Sequence, residues 1–127
     1  WSVLSRNKGA IHILSKNLDK INWYELSRNN MAIDLLKQHI DKINWNNLSI
    51  NKSAIILLRY RIEYENSLTK NSYNNLRDKV NWYLLSRNPN AIQLLKNNLD
   101  KIDWNGFSAN PSIFTDEPMP SLDLYNM

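Results

Sequence analysis

Along residues 32–43 the apolar positions Ile33, Leu36, Ile40 and Ile43 are spaced 3, 4 and 3, with Ala32 and Leu35 widening the same stripe. That spacing follows one face of an α-helix and does not fit the alternation of a strand. It predicts a helix of about 14 residues, roughly 21 Å long at 1.5 Å per residue. Upstream, Trp23 and Leu26 stand at i and i+3, which predicts a second, shorter helix of about five residues with one apolar side.

The same two-part pattern recurs. The five tryptophans, Trp1, Trp23, Trp45, Trp82 and Trp104, are separated by 22, 22, 37 and 22 residues, and each opens the phrase W-x-x-L-S-x-N-x-x-A-I-x-L-L-x-x-x-L-D-K-I-N or a shortened copy of it. A fixed period of this length marks a repeat architecture and takes precedence over any element-by-element reading. In the 37-residue interval, Tyr64 to Asn71 can be laid on the opening phrase with one extra residue, and Asp78-Lys79-Val80-Asn81 restores the closing one. This gives six units, the fourth degenerate and starting near Tyr64. A simple loop insertion is the alternative.

The unit boundaries follow from capping chemistry. Asn7, Asn29, Asn51, Asn88 and Asn110 each precede the longer apolar run, where an Asn oxygen can accept from a backbone N–H left without a partner in the first turn. Pro89 and Pro111 fix the register, because proline suits the first helical position. Asn22, Asn44, Asn81 and Asp103 cap the shorter helix in the same way. Four of the five alanines, Ala10, Ala32, Ala54 and Ala91, fall in one slot of the repeat, which implies close helix packing there. Each Trp, locked to a Leu three residues on, or to Phe107 in the last copy, is expected to be a buried anchor between units rather than an exposed base-stacking platform.

The fold class expected is therefore all-α, a short α-solenoid of 22-residue helix-turn-helix repeats with its handedness left open. Neither helix buries its stripe alone, so neighbouring units must stack. A leucine-rich repeat has similar length but needs a strand of alternating leucines, which the helical spacing does not supply. Residues 1–117 form the array, with units near Trp1, Trp23, Trp45, Tyr64, Trp82 and Trp104, the last a terminal cap in which Phe107, Ile113 and Phe114 seal the face. Residues 118–127 form a tail. A start at Trp1 suggests that the chain begins inside a longer array.

Composition narrows the chemistry. No run approaches the roughly 18 apolar residues of a membrane span, and no signal-peptide pattern opens the chain. The expectation is an intracellular, non-secreted protein, consistent with the absence of cysteine among 127 residues. Asn fills 21 positions, and Asn, Lys and Ile together far outnumber Gly, Ala, Arg and Pro, a bias that follows A/T-rich codons. With two histidines and two glycines, no metal-ligand set, glycine-rich phosphate loop or recurring Ser, His and acid set is available. We expect no cofactor, no metal and no enzymatic activity.

The phrase Leu85-Ser86-Arg87-Asn88-Pro89-Asn90-Ala91-Ile92-Gln93-Leu94-Leu95, followed by Asp100-Lys101-Ile102, resembles the Asn-rich tandem repeats of uncharacterised proteins in mimivirus-like giant DNA viruses. The likeness covers residues 1 to about 117. It implies a viral origin and no established activity; Lys8, Asn30 and Lys52 stand where proline occurs in the resembling phrase.

Repeat scaffolds recognise partners through positions that packing leaves free. One variable slot reads His12, Asp34, Ile56 and Gln93, and the slots after Trp include Tyr24, Tyr83 and Leu84; these are the candidate protein-contact residues, with padding of a neighbouring helix as the alternative for the last three. Arg6, Arg28 and Arg87, with Lys70 from the degenerate unit, recur between Ser and Asn and form a candidate phosphate-contact row. Ile50 and Ala109 interrupt it, and the net charge of +4 is mild, while Asp19, Asp41, Asp78 and Asp100 accompany a matching row of lysines. The function expected is a non-catalytic scaffold for protein–protein contact or for virion or viral-factory structure, with self-association of arrays open. The alternative is a nucleic-acid-binding solenoid that uses the Arg/Lys row.

Overall fold

The computed structural model describes residues 1–114, which are helical with no strand. The expectations for Thr115 onward lie outside the described residues, as does the side chain of Phe114. The short helices are α1 (Ser2–Arg6), α3 (Trp23–Leu26), α5 (Trp45–Leu48), α8 (Trp82–Arg87) and α10 (Trp104–Ser108); the helices after each Ser-x-Asn turn are α2 (Ile11–Ser15), α4 (Ile33–Gln38), α6 (Ile55–Ser67) and α9 (Ile92–Lys96), with α7 (Lys70–Asn74) following α6. A short 3-10 turn, Pro111–Phe114, follows α10.

Four short helices begin where the sequence places their caps. The side-chain oxygens of Asn22, Asn44, Asn81 and Asp103 accept from the backbone N–H three residues on, at 3.1, 2.9, 2.9 and 3.0 Å. The Ser-x-Asn turns are also capped, with Asn7, Asn29, Asn51, Asn88 and Asn110 accepting from the N–H two residues on at 2.8 to 3.1 Å.

The long helix is not the uniform element expected. At Asn17, His39 and Asn98 the backbone turns to φ near −135° and ψ near 53°, leaving the helical region. The chain then resumes as 3-10 turns over Leu18–Lys20, Ile40–Lys42 and Leu99–Lys101. Asn17 and Asn98 donate their side-chain amides to the carbonyls of Ile13 and Leu94 four residues back, at 2.9 and 2.8 Å, which is the local competition that makes Asn a poor interior helix residue. In the phrase that opens at Trp45 the same position is Arg61, a good helix former, and α6 runs unbroken for 13 residues. The break moves one predicted core position outward: Leu18, Ile40 and Leu99 are 39, 52 and 41% exposed, whereas Ile62 is 4% exposed.

The core is otherwise as the stripe requires. Leu14, Leu36, Leu58 and Leu95, one per unit, are fully buried together with Leu26, Leu48 and Leu85, and the alanine slot is closed at Ala10, Ala32, Ala54 and Ala91. The tryptophans meet the expectation of burial only in part. Trp45 is buried, Trp23 and Trp82 are half-buried, and Trp1 and Trp104 are exposed. Four of these rings are met by a side chain of their own unit: Lys20 over Trp1, His39 beside Trp23, Arg61 over Trp45 and Lys101 over Trp82, with centres 5.1 to 5.6 Å apart.

Two buried polar residues join successive phrases. Each ladder asparagine donates its side-chain amide to two carbonyls of the preceding loop: Asn29 to Ser5 and Asn7, Asn51 to Ser27 and Asn29, Asn88 to Ser49 and Asn51, and Asn110 to Ser86 and Asn88, all at 2.9 to 3.2 Å. Ser5, Ser27, Ser49 and Ser86, each two residues before its phrase's asparagine, are fully buried, whereas Ser108 before Asn110 is exposed. Ser5, Ser27 and Ser49 donate to the Trp carbonyl four residues back at 2.7 to 2.9 Å. The hydroxyls of Ser5, Ser27, Ser49 and Ser86 accept from the cap backbone N–H that opens the next phrase, on Asn22, Asn44, Asn81 and Asp103, at 2.9 to 3.0 Å.

These bonds bear on the 37-residue interval. Asn88 and Asn81 bond to residues 49 and 51 as Asn51 and Asn44 bond to residues 27 and 29. Tyr64, where a fourth unit was expected to begin, lies inside α6. The extra residues are secured by a polar cluster at the base of α6. The buried Glu65 carboxylate meets Arg61 Nε at 2.8 Å and accepts from Val80 N–H at 3.0 Å, Arg61 also donates to the Asp78 carbonyl, and the Asp78 carboxylate accepts from the Trp45 and Asn46 N–H groups that open α5.

Candidate functional site

Because each Ser-x-Asn loop is bonded to the one before it, residues in the same slot are carried by neighbouring loops. His12, Asp34, Ile56 and Gln93 are all exposed on the first turn of α2, α4, α6 and α9. Tyr24 and Tyr83 are exposed on α3 and α8, and Leu84 is half-buried. Nothing in these seven positions forms a catalytic set.

The phosphate-row candidates separate. Arg6 and Arg87 end α1 and α8, Arg28 lies in the turn after α3, and all three are exposed. Arg6 and Arg28 line one polar cleft with Tyr24, Glu25 and Asn29. Arg6 Nε lies 3.5 Å from the Glu25 carboxylate, while the Arg87 guanidinium sits 5.7 Å from the centre of the Tyr83 ring. Lys70 does not join them. It starts α7 and lines a separate cleft of about 470 Å³ with Tyr73, Trp82 and Lys101, since loop 49–51 bonds directly to loop 86–88 and leaves no place between Ile50 and Arg87. In that cleft, burial and the nearby Glu65 carboxylate raise the Tyr73 pKa above 10.0.

Two features escaped the sequence reading. The first is charge segregation: the four residues from Arg6, Arg28, Ile50, Arg87 and Ala109 onward contain Arg6, Lys8, Arg28, Lys52 and Arg87, all exposed, and no acid. Counting the Glu25 carboxylate beside Arg6, the five cations of this edge leave +4, equal to the net charge of the whole chain. The signal was present in the repeat alignment, hidden because the acidic residues of each phrase lie elsewhere. The second is an apolar groove of about 250 Å³ between Ile40, Trp45, Leu57, Tyr60, Arg61 and Tyr64. Ile56, Tyr60 and Tyr64 follow one another at i, i+4 and i+8 along α6 and are 55, 64 and 48% exposed. That second stripe was legible once α6 was known to be continuous.

Among the described residues, no group of three or more His, Cys, Asp or Glu side chains is placed to hold a metal ion. No described helix is long and apolar enough to cross a membrane. No protein-family model, curated protein or solved structure matches the chain.

Proposed function

We propose that the chain is a non-catalytic α-solenoid whose stacked units serve as a scaffold for protein–protein contact, of the kind that holds together a virion or viral factory. The observation that carries this reading is the ladder of Asn and Ser bonds. It sets equivalent exposed positions of successive phrases at a regular interval, and such rows are the surfaces that repeat arrays use for binding. On this reading the array has five units, and the third carries 15 additional residues in its 37-residue interval.

The exposed aromatic and aliphatic side chains Tyr24, Ile56 and Tyr83 supply the kind of anchor that dominates interface energetics. Affinity capture from the cells that make the protein, comparing the native chain with a Tyr24→Ala, Ile56→Asp, Tyr83→Ala variant, tests the proposal. A protein partner retained by the first and lost by the second is the expected result. Equal capture by both would count against it.

The segregated loop edge favours a second reading, nucleic-acid binding through Arg6, Arg28 and Arg87. Binding of that kind weakens log-linearly with salt, so a salt titration with single- and double-stranded oligonucleotides separates the two.

A further inference from the structure

We infer that the loop edge is a reading surface for an acidic polypeptide segment bound in extended form, with side chains matched to successive loops. The inference rests on the scaffold reading and names the partner's chemistry. Its basis is the order of residues in one slot of the bonded loops: Arg6, Arg28, Ile50, Arg87 and Ala109. The slot reads cation, cation, apolar, cation, small.

Geometry sets the interval. Packed helices lie about 8–10 Å apart, and an extended chain advances about 3.3 Å per residue, so one loop corresponds to about three residues of peptide. A segment with Glu or Asp at the first, fourth and tenth positions and an aliphatic residue at the seventh would place an acid against each arginine and an apolar group against Ile50. Arginine's planar guanidinium suits a carboxylate through paired hydrogen bonds, and Arg28 makes no ion pair among the described residues. Tyr24, 53% exposed in the cleft that Arg6 and Arg28 share, supplies an aromatic wall for the segment's aliphatic stems.

The same order argues for a peptide over a nucleic acid. A phosphate backbone carries the same charge at every step and would meet Ile50 in mid-row and the Glu25 carboxylate beside Arg6. A polypeptide can vary its side chain at each step, setting an apolar residue opposite Ile50 and a single acid, with uncharged neighbours, opposite Arg6.

The test uses fluorescein-labelled synthetic peptides in anisotropy titrations with the full chain: E-x-x-E-x-x-L-x-x-E with Ser and Thr as fillers, the same pattern reversed, a scrambled peptide of identical composition, and an oligo-dT of similar length. One of the two patterned peptides should bind at least tenfold more tightly than the scrambled one. Arg28→Glu should remove that advantage while leaving the circular dichroism spectrum unchanged, and Ile50→Arg should reverse the preference for Leu at the seventh position. Equal binding of patterned and scrambled peptides, tighter binding of oligo-dT, or no binding by any peptide overturns the inference. If it falls while the Tyr24, Ile56, Tyr83 variant still loses a captured protein, the scaffold reading survives; if that capture is absent too, both fall.

Discussion

The first, second and Trp82 phrases end their second helix after five or six residues and turn aside, whereas the third carries α6 through Ser67 and loops out α7 before rejoining the pattern. The two kinds of segment differ in helix length, exposed stripe and polar anchoring, yet the bonds tying them to their neighbours are the same. The Ser and Asn contacts at Ser49, Asn51, Asn81 and Asn88 repeat those at Ser27, Asn29, Asn44 and Asn51. Register is therefore held at the loops, and the far half of each phrase is free to vary. An asparagine is needed there because it supplies one acceptor for its own turn and two donors for the preceding loop.

The strongest way to break this comparison is to remove the donors. Asn51→Asp keeps the cap but turns a carboxylate toward the Ser27 and Asn29 carbonyls in a site 1% exposed, and should cost about 3 kcal/mol or more. Asn29→Asp, in a regular phrase, should cost the same within about 1 kcal/mol, both read from urea denaturation. A much smaller loss at Asn29 would show that the third phrase is held differently. By contrast Asn81→Asp should change stability by no more than about 0.5 kcal/mol, because that slot needs only an acceptor and already holds Asp103 in another phrase.

Next in size is Gly106→Ala. A Cβ there would lie 2.5 Å from the Tyr83 carbonyl oxygen, so α10 must shift from α8, at a cost of about 1–3 kcal/mol. An unchanged melting temperature would mean that these helices do not approach as described. Deleting residues 63–77 restores a 22-residue third phrase ending Arg61-Ile62-Asp78-Lys79-Val80-Asn81. The shortened chain should still unfold in one transition, with a smaller drop in melting temperature than Asn51→Asp. Loss of cooperative unfolding would make the extra segment part of the register after all.

The smallest effect is confined to alkaline solution. The Tyr73 pKa is raised above 10.0 by burial and by Glu65, so its contribution to stability is complete below the unfolded value and is lost as pH rises through the folded one. Ultraviolet titration should show Tyr73→Phe removing a late-ionising phenol; loss of an ordinary one instead would contradict the packing against α6.

Much of this was legible in the residues. The Trp ruler, the two caps and the buried leucine and alanine slots followed from spacing and capping chemistry alone. The helix break did not, because a periodic apolar stripe says nothing about Asn17 and Asn98 bonding back to their own helix, and Ile40 was assigned to a face that the break turns outward. The regular spacing of Trp predicts burial between units, but only Trp45 is buried, and the rings at the two ends, Trp1 and Trp104, are exposed. The second duty of the ladder asparagines was missed although its signal was visible: five phrases of five use Asn where Ser or Asp would cap as well. For the candidate surface, Arg6, Arg28 and Arg87 stand out by their recurrence in one slot and are exposed, while Lys70 could be placed only by knowing which loops touch.

Every ladder amide points its N–H groups at carbonyls that lie earlier in the chain. A polypeptide leaving the ribosome thus exposes each set of acceptors before the amide that will claim them is made. Each new loop can dock on a finished one, across 22 to 24 residues at most junctions and 37 to 39 at the third phrase. With contacts this local and domains folding as they emerge, translation order is also assembly order. The longest wait, counted in residues, falls at the third phrase, where the Ser49 and Asn51 carbonyls meet Asn88 only 39 and 37 residues later.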